Sequence, residues 1–147
     1  MDNITFSHQA FDSGLNCSQS VVARYSETYG WPKEALLAAA AGFGGGMKQG
    51  EHCGAVTGAY MVLGLLALEQ ADDNVELKAL AGQSVQSFNE RFLQRHETLL
   101  CRELLGHDPS TDSGRTAAKE ANLFVSVCRP LVASALDILD DMVGGAG

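Results

Sequence analysis

Apolar residues recur along this chain at helical spacing, and strict alternation is never sustained for more than four residues. Val21, Val22, Tyr25 and Tyr29 mark one face behind Asn16-x-x-Gln19, a pairing of the kind that caps a helix start. Gly30 ends that helix, and Pro32 suits the first position of the next, an Ala- and Leu-rich run from Glu34 to Ala41. Four glycines in the five positions from Gly42 to Gly46 break it. A further helix is expected from about Cys53 to Ala71. Asp72-Asp73-Asn74 then stops and restarts the chain, and the longest helix extends to about His96. Leu77, Leu80, Ala81, Ser84, Phe88 and Phe92 share one face of it.

Thr98 is placed to cap a short helix over Leu99 to Leu105, closed by Gly106. From His107 to Gly114 the Pro, Ser, Thr, Asp and Gly content predicts a loop. The chain ends in helix from Thr116 to Asp141, interrupted or kinked at Pro130, with Val132, Ala135, Leu136, Leu139 and Val143 as its apolar stripe. Gly144 to Gly147 reads as a frayed tail. No internal repeat, linker or composition break divides the chain. The pattern predicts an all-α, single-domain helical bundle of five to seven helices over residues 1–147.

Composition sharpens this reading. At 147 residues, 46% hydrophobic and 19% charged, the chain can bury a core without disulfide staples. Ten basic against eighteen acidic residues, a net charge of −8, argue against a nucleic-acid partner. Met1-Asp2-Asn3 lacks the basic start of a signal peptide. The longest uncharged apolar stretch, Cys53 to Leu68, falls short of the roughly 20 residues a membrane span needs. We therefore expect a cytoplasmic protein that does not engage a membrane, in a compartment where thiols stay reduced.

Against that background the four cysteines require an explanation. Cys17, Cys53, Cys101 and Cys128 lie 36, 48 and 27 positions apart, so none forms a Cys-x-x-Cys, zinc-ribbon or ferredoxin-type run. Each falls at or near a predicted helix start. A helix N-terminus presents free N–H groups and partial positive charge, which would lower a thiol's pKa and favour metal or cluster ligation. The competing reading is four unrelated core cysteines, since this residue type is commonly buried.

The glycines around Cys53 bear on that choice. Gly54 and Gly58 are one helical turn apart, so another backbone can approach that face closely. Gly44, Gly45 and Gly46 can take left-handed conformations and form an N–H nest for an anion. A tight turn between packed helices explains them equally well. No Gly-Lys-Ser/Thr follows, and no strand precedes them, so neither nucleotide-loop reading applies.

Five stretches in order carry a family resemblance: Phe11 to Ser20 around Cys17, Gly42 to Met47, Cys53-Gly54-Ala55-Val56-Thr57-Gly58-Ala59, Cys101 to Gly106, and Cys128 before the last helix. Together they resemble the redox-active protein family named for the pattern C_GCAxxG_C_C. One departure is local: His52 precedes Cys53 and Gly54 follows it, where the pattern places Gly before Cys. The resemblance implies a helical fold and redox activity through the four cysteines. It also implies similarity to the iron–sulfur-binding part of split-Soret cytochromes, and so a [2Fe–2S]-type site. No Cys-x-x-Cys-His occurs, which excludes covalent c-type haem.

Three functions follow. In the first, Cys17, Cys53, Cys101 and Cys128 converge as metal or cluster ligands for electron transfer or redox sensing with a partner protein. In the second they carry metal-free thiol–disulfide chemistry. In the third they are structural, in a helical binding or oligomerisation module such as a homodimer. A zinc site is a weaker variant of the first, because structural zinc favours paired short spacings. Gly44, Gly45, Gly46, Gly54 and Gly58 would support the site, and His52 is a secondary ligand candidate. His96 and His107 rank below it, and His8 reads as a solvated residue near the N-terminus. Asp72-Asp73 and Asp140-Asp141 read as helix-end charges, and Arg24, Arg91 and Arg129 as surface salt-bridge partners. No Gly-x-Ser-x-Gly nucleophile elbow is present.

Overall fold

The computed structural model describes residues 1–145, which form eight α-helices. They are α1 (Asn3–Asp12), α2 (Cys17–Tyr29), α3 (Lys33–Ala40), α4 (Gly54–Leu68), α5 (Asn74–His96), α6 (Cys101–Leu105), α7 (Asp112–Glu120) and α8 (Arg129–Gly145). The all-α expectation holds, with more helices than the five to seven expected. Among the described residues the one β pairing is an isolated antiparallel bridge between His52 and Leu100.

The helix ends are set by the chemistry read from sequence. Asn16 caps α2: its side chain accepts from Gln19 N–H at 2.9 Å, while the Gln19 side chain accepts from Asn16 N–H at 3.1 Å. Gly30 closes α2 with a left-handed φ of 69°. Asp73 caps α5 by accepting from Glu76 N–H at 2.8 Å. Pro32 is the capping residue of α3, one position earlier than expected.

Several boundaries differ from expectation: α6 starts at Cys101 behind Leu100, so Thr98 does not cap it, and α4 ends at Leu68, short of Ala71. Helix α1 was not marked by the sequence pattern; Asp2 caps it by accepting from Thr5 N–H at 2.8 Å, and it buries Phe6 and Ala10 against the core. The loop before α7 ends at Thr111, whose hydroxyl accepts from Gly114 N–H at 3.0 Å, so Gly114 is helical. The break in the C-terminal region falls at Asn122, which is left-handed (φ 59°), not at Pro130. There α7 and the following helical segment diverge by 79°. Pro130 is the second residue of α8, and the helical segment passes through it without a break. A five-residue wide turn, Phe124–Cys128, leads into it. Gly144 and Gly145 continue α8 where fraying was expected, because Met142 and Val143 still pack on the core. Ala146 and Gly147 lie outside the described residues.

Helix α4 is buried from Gly54 to Ala59 and again at Val62 and Leu63, as expected of an apolar segment too short to span a membrane. It packs between α2 and α5, and α8 closes the core from the other side with Val132, Ala135, Leu136 and Leu139. Phe88 and Phe92 of α5 are fully buried, whereas Leu77, Leu80 and Ser84 are half-buried because the first turns of α5 run past the core. No single helix among the described residues is long and apolar enough to cross a membrane.

Candidate functional site

The four cysteines, far apart in sequence, line one cavity of about 470 Å³. All four are free thiols; Cys53, Cys101 and Cys128 are buried and Cys17 is half-buried. Three stand at a helix start as expected; Cys128 instead closes the wide helical turn Phe124–Cys128 that runs directly into α8. Cys17 is the first residue of α2, Cys101 the first of α6, Cys53 immediately precedes α4, and Cys128 immediately precedes α8. A site assembled by packing, not by a local loop, explains the wide spacing.

Two devices bring the thiols together. The first is glycine at the α2–α4 contact. A methyl group on Gly54 would lie 2.8 Å from Cys17 Cβ, and one on Gly58 would lie 2.7 Å from Ser18 O. Only glycine lets α4 approach α2 this closely, so both positions act as the sequence suggested. The second is a short antiparallel pairing. Cys53 N–H donates to Leu99 O at 2.8 Å, and Cys101 N–H donates to Glu51 O at 2.6 Å. Side chains alternate along extended backbone, so Cys53 and Cys101 share one face of this pairing and His52 takes the other. His52 therefore does not line the cavity. His96 does not reach it either; its Nε2 is 2.7 Å from Ser134 Oγ. His8 is engaged by Arg129, which also binds Asp12 at 2.9 Å.

The glycine-rich segment adopts a left-handed turn. Gly45, Gly46, Met47 and Lys48 have φ values of 67°, 65°, 60° and 63°. For the two non-glycine residues this conformation costs roughly 1–2 kcal/mol each. Asn16 ties the segment to the start of α2, donating from Nδ2 to Ala41 O at 3.0 Å. Gly44 and Gly45 face the cavity, while Gly46 packs on Cys101, whose Cβ would lie 3.0 Å from an added methyl.

Electrostatics separate the thiols. Burial pushes Cys53 up to about 11, although the N–H groups of Ala55 and Val56 at the start of α4 pull the other way. Burial likewise pushes Cys101 up to about 12. The expected lowering by helix N-termini therefore fails at these two positions, because desolvation of a buried thiolate outweighs a few N–H dipoles. Cys128 differs. Its pKa is lowered from 9.0, because the neighbouring Cys17 thiol favours its thiolate, and Cys17 is raised well above the ordinary value by the same neighbour and by burial. The pair shares a proton: the first leaves readily and the second does not.

Elsewhere the wall is largely apolar, built by Phe11, Leu104, Leu105, Phe124 and Leu131. Lys48, Ser110 and Arg115 also reach it. Sequence reasoning did not single out these residues, since nothing in their local pattern distinguishes them from surface polar groups. Among the described residues no three His, Cys, Asp or Glu side chains stand close enough to hold one metal ion. Four sulfur donors on one cavity nevertheless match the donor set of an iron–sulfur cluster.

These features define a helical protein with a buried multi-thiol centre. The chain belongs to the family described as "putative redox-active protein (C_GCAxxG_C_C)", whose model matches residues 15–142 and so takes in all four cysteines. No curated protein and no solved structure matches the chain.

Proposed function

We propose that this chain is a thiol-based redox protein whose working couple is Cys17 and Cys128, with Cys53 and Cys101 as further thiols of the same cavity. One observation carries the reading: Cys17, at the start of α2, packs against the small buried cluster that holds Cys128, and both thiols line the same cavity. In this reading the neighbouring Cys17 thiol favours the Cys128 thiolate, so Cys128 is the nucleophile and Cys17 the resolving thiol. Starting from the Cys128 thiolate and the Cys17 thiol, forming the Cys17–Cys128 bond passes two electrons to an acceptor and releases the Cys17 proton. A redox partner protein in a reducing cytoplasm would return them. Thiol counting on the denatured protein tests this. Oxidation should take four free thiols to two, and peptide mapping should place the new bond between Cys17 and Cys128. Four thiols surviving a mild oxidant would overturn the reading.

A second reading has its own support, the convergence of four sulfur donors on one cavity. Cys17, Cys53, Cys101 and Cys128 would hold a [2Fe–2S]-type cluster, which would supply one-electron transfer. The chain would contribute the apolar wall that limits solvent access and the N–H groups at the helix starts. Iron and acid-labile sulfide in anaerobically purified protein, with the matching visible absorption, would establish it. A colourless, iron-free product would leave the dithiol couple.

A further inference from the structure

The cavity combines thiols with a charge pattern that the dithiol reading does not use. The chain carries eighteen acidic and ten basic residues, yet among the described residues no Asp or Glu lines this cavity, while Lys48 and Arg115 both do; the nearby carboxylate, Asp108, is engaged by Ser110. Lys48 reaches it from the left-handed turn, and it makes no salt bridge among the described residues. Arg115 is steadied by donation from Nη1 to Pro109 O at 3.3 Å. Its one carboxylate partner among the described residues, Asp112, has a side chain 97% exposed, so this pair is weakly held and open to exchange with another anion. Phe11, Leu104, Phe124 and Leu131 line the same cavity. The volume of about 470 Å³ lies within the usual range for small-molecule sites.

Resting on the dithiol reading, we propose that the cavity takes a small anionic disulfide, its apolar body against the thiols and its negative group held by Lys48 and Arg115. Cys128, as thiolate, attacks one sulfur of the substrate, whose S–S bond breaks and releases one thiolate. The Cys17 sulfur then attacks Cys128 in the mixed disulfide and releases the second half of the substrate. The Cys17 proton leaves with one of the two products. The substrate is reduced to a thiol and a thiolate, and the protein is oxidised to its Cys17–Cys128 disulfide, so electrons and charge balance.

Two aromatic disulfides separate charge from reactivity: dithiobis(nitrobenzoate), which is anionic, and dithiodipyridine, which is neutral. Each is mixed with the reduced full chain and with the chain unfolded in urea, whose thiols give the reference rate. The folded protein should favour the anionic probe relative to that reference. In the Lys48→Gln/Arg115→Gln double variant, the anionic-over-neutral rate ratio should fall on the order of tenfold. Lys48→Arg should retain the wild-type ratio, because charge and reach are kept. A ratio unchanged in the double variant overturns the assignment. Peptide mapping of the oxidised wild type decides the underlying couple separately: a bond other than Cys17–Cys128 removes the couple, whereas the rate ratio alone decides the anion site.

Discussion

Gly54 lies directly against Cys17: a methyl group at position 54 would sit 2.8 Å from Cys17 Cβ and 3.1 Å from Ser18 N. Two elements that each present a cavity thiol are thus held at a spacing only glycine allows. Gly54→Ala should destabilise the protein by about 1–3 kcal/mol through overpacking. It should also slow Cys17–Cys128 disulfide formation, because relief of the clash moves Cys17. Gly64, in the same helix, has nothing within 4 Å of an added methyl. Gly64→Ala should therefore stabilise by about 0.5–1 kcal/mol. Urea unfolding of both variants checks the opposite signs.

Cys128 is the one cavity thiol whose pKa is lowered, and the neighbouring Cys17 thiol is the cause. At pH 8 a small alkylating reagent should label Cys128 ahead of Cys53 and Cys101, read by mass spectrometry of the quenched native protein. Cys17→Ala removes that neighbour, so Cys128 labelling should shift to higher pH. An unchanged labelling profile in that variant would show that the Cys17 contact does not set the reactivity of Cys128.

The buried thiols Cys53 and Cys101 have the opposite linkage. Their folded-state pKa values, about 11 and about 12, exceed the ordinary 9.0. Between those values the unfolded chain holds fewer protons than the native one, so stability falls as pH rises. Their contribution is complete below pH 9 and is lost as pH climbs toward 11–12. Cys53 alone should account for about 2 kcal/mol by pH 11. Cys53→Ala should flatten that alkaline decline in urea midpoints measured across the range, whatever it costs at neutral pH.

Most of the helical framework was legible because its signals are local. Asn16-x-x-Gln19, Gly30, Asp73 and the Val132–Leu139 stripe each act within a turn or two of chain. The helix-start positions of Cys17, Cys53 and Cys101 were legible for the same reason, whereas Cys128 lies within a helical segment that begins at Phe124. The cysteines' electrostatics were not legible, since burial and the Cys17–Cys128 contact depend on how α2 and α8 meet. His52 was a ligand candidate by adjacency to Cys53, and alternation in the Leu99–Cys101 pairing turns it to the opposite face. Asp140 looked like a tail charge, yet it accepts from Tyr25 Oη at 2.6 Å and from Asn3 Nδ2 at 2.9 Å, tying α8 to α2 and α1. Tyr25→Phe should accordingly cost about 1–2 kcal/mol in chemical unfolding.

The left-handed turn from Gly45 to Lys48 gives a test of strain at the cavity edge. Met47 holds φ 60° and ψ 35°, a conformation that crowds its Cβ against its own backbone. Glycine removes that crowding but loosens the unfolded chain, an opposing effect of about 0.4–1 kcal/mol. The net expectation for Met47→Gly is a gain of about 0.5–1 kcal/mol in urea unfolding. Gly46→Ala should do the reverse, because its methyl would meet the Glu51 backbone and lie 3.0 Å from Cys101 Cβ. The loss there should exceed 2 kcal/mol, roughly the left-handed cost plus overpacking. A destabilised Met47→Gly would mean that the Met47 side chain contributes more in contacts than its backbone loses in strain. The turn would then be held by packing around Met47 and not by the glycines that flank it.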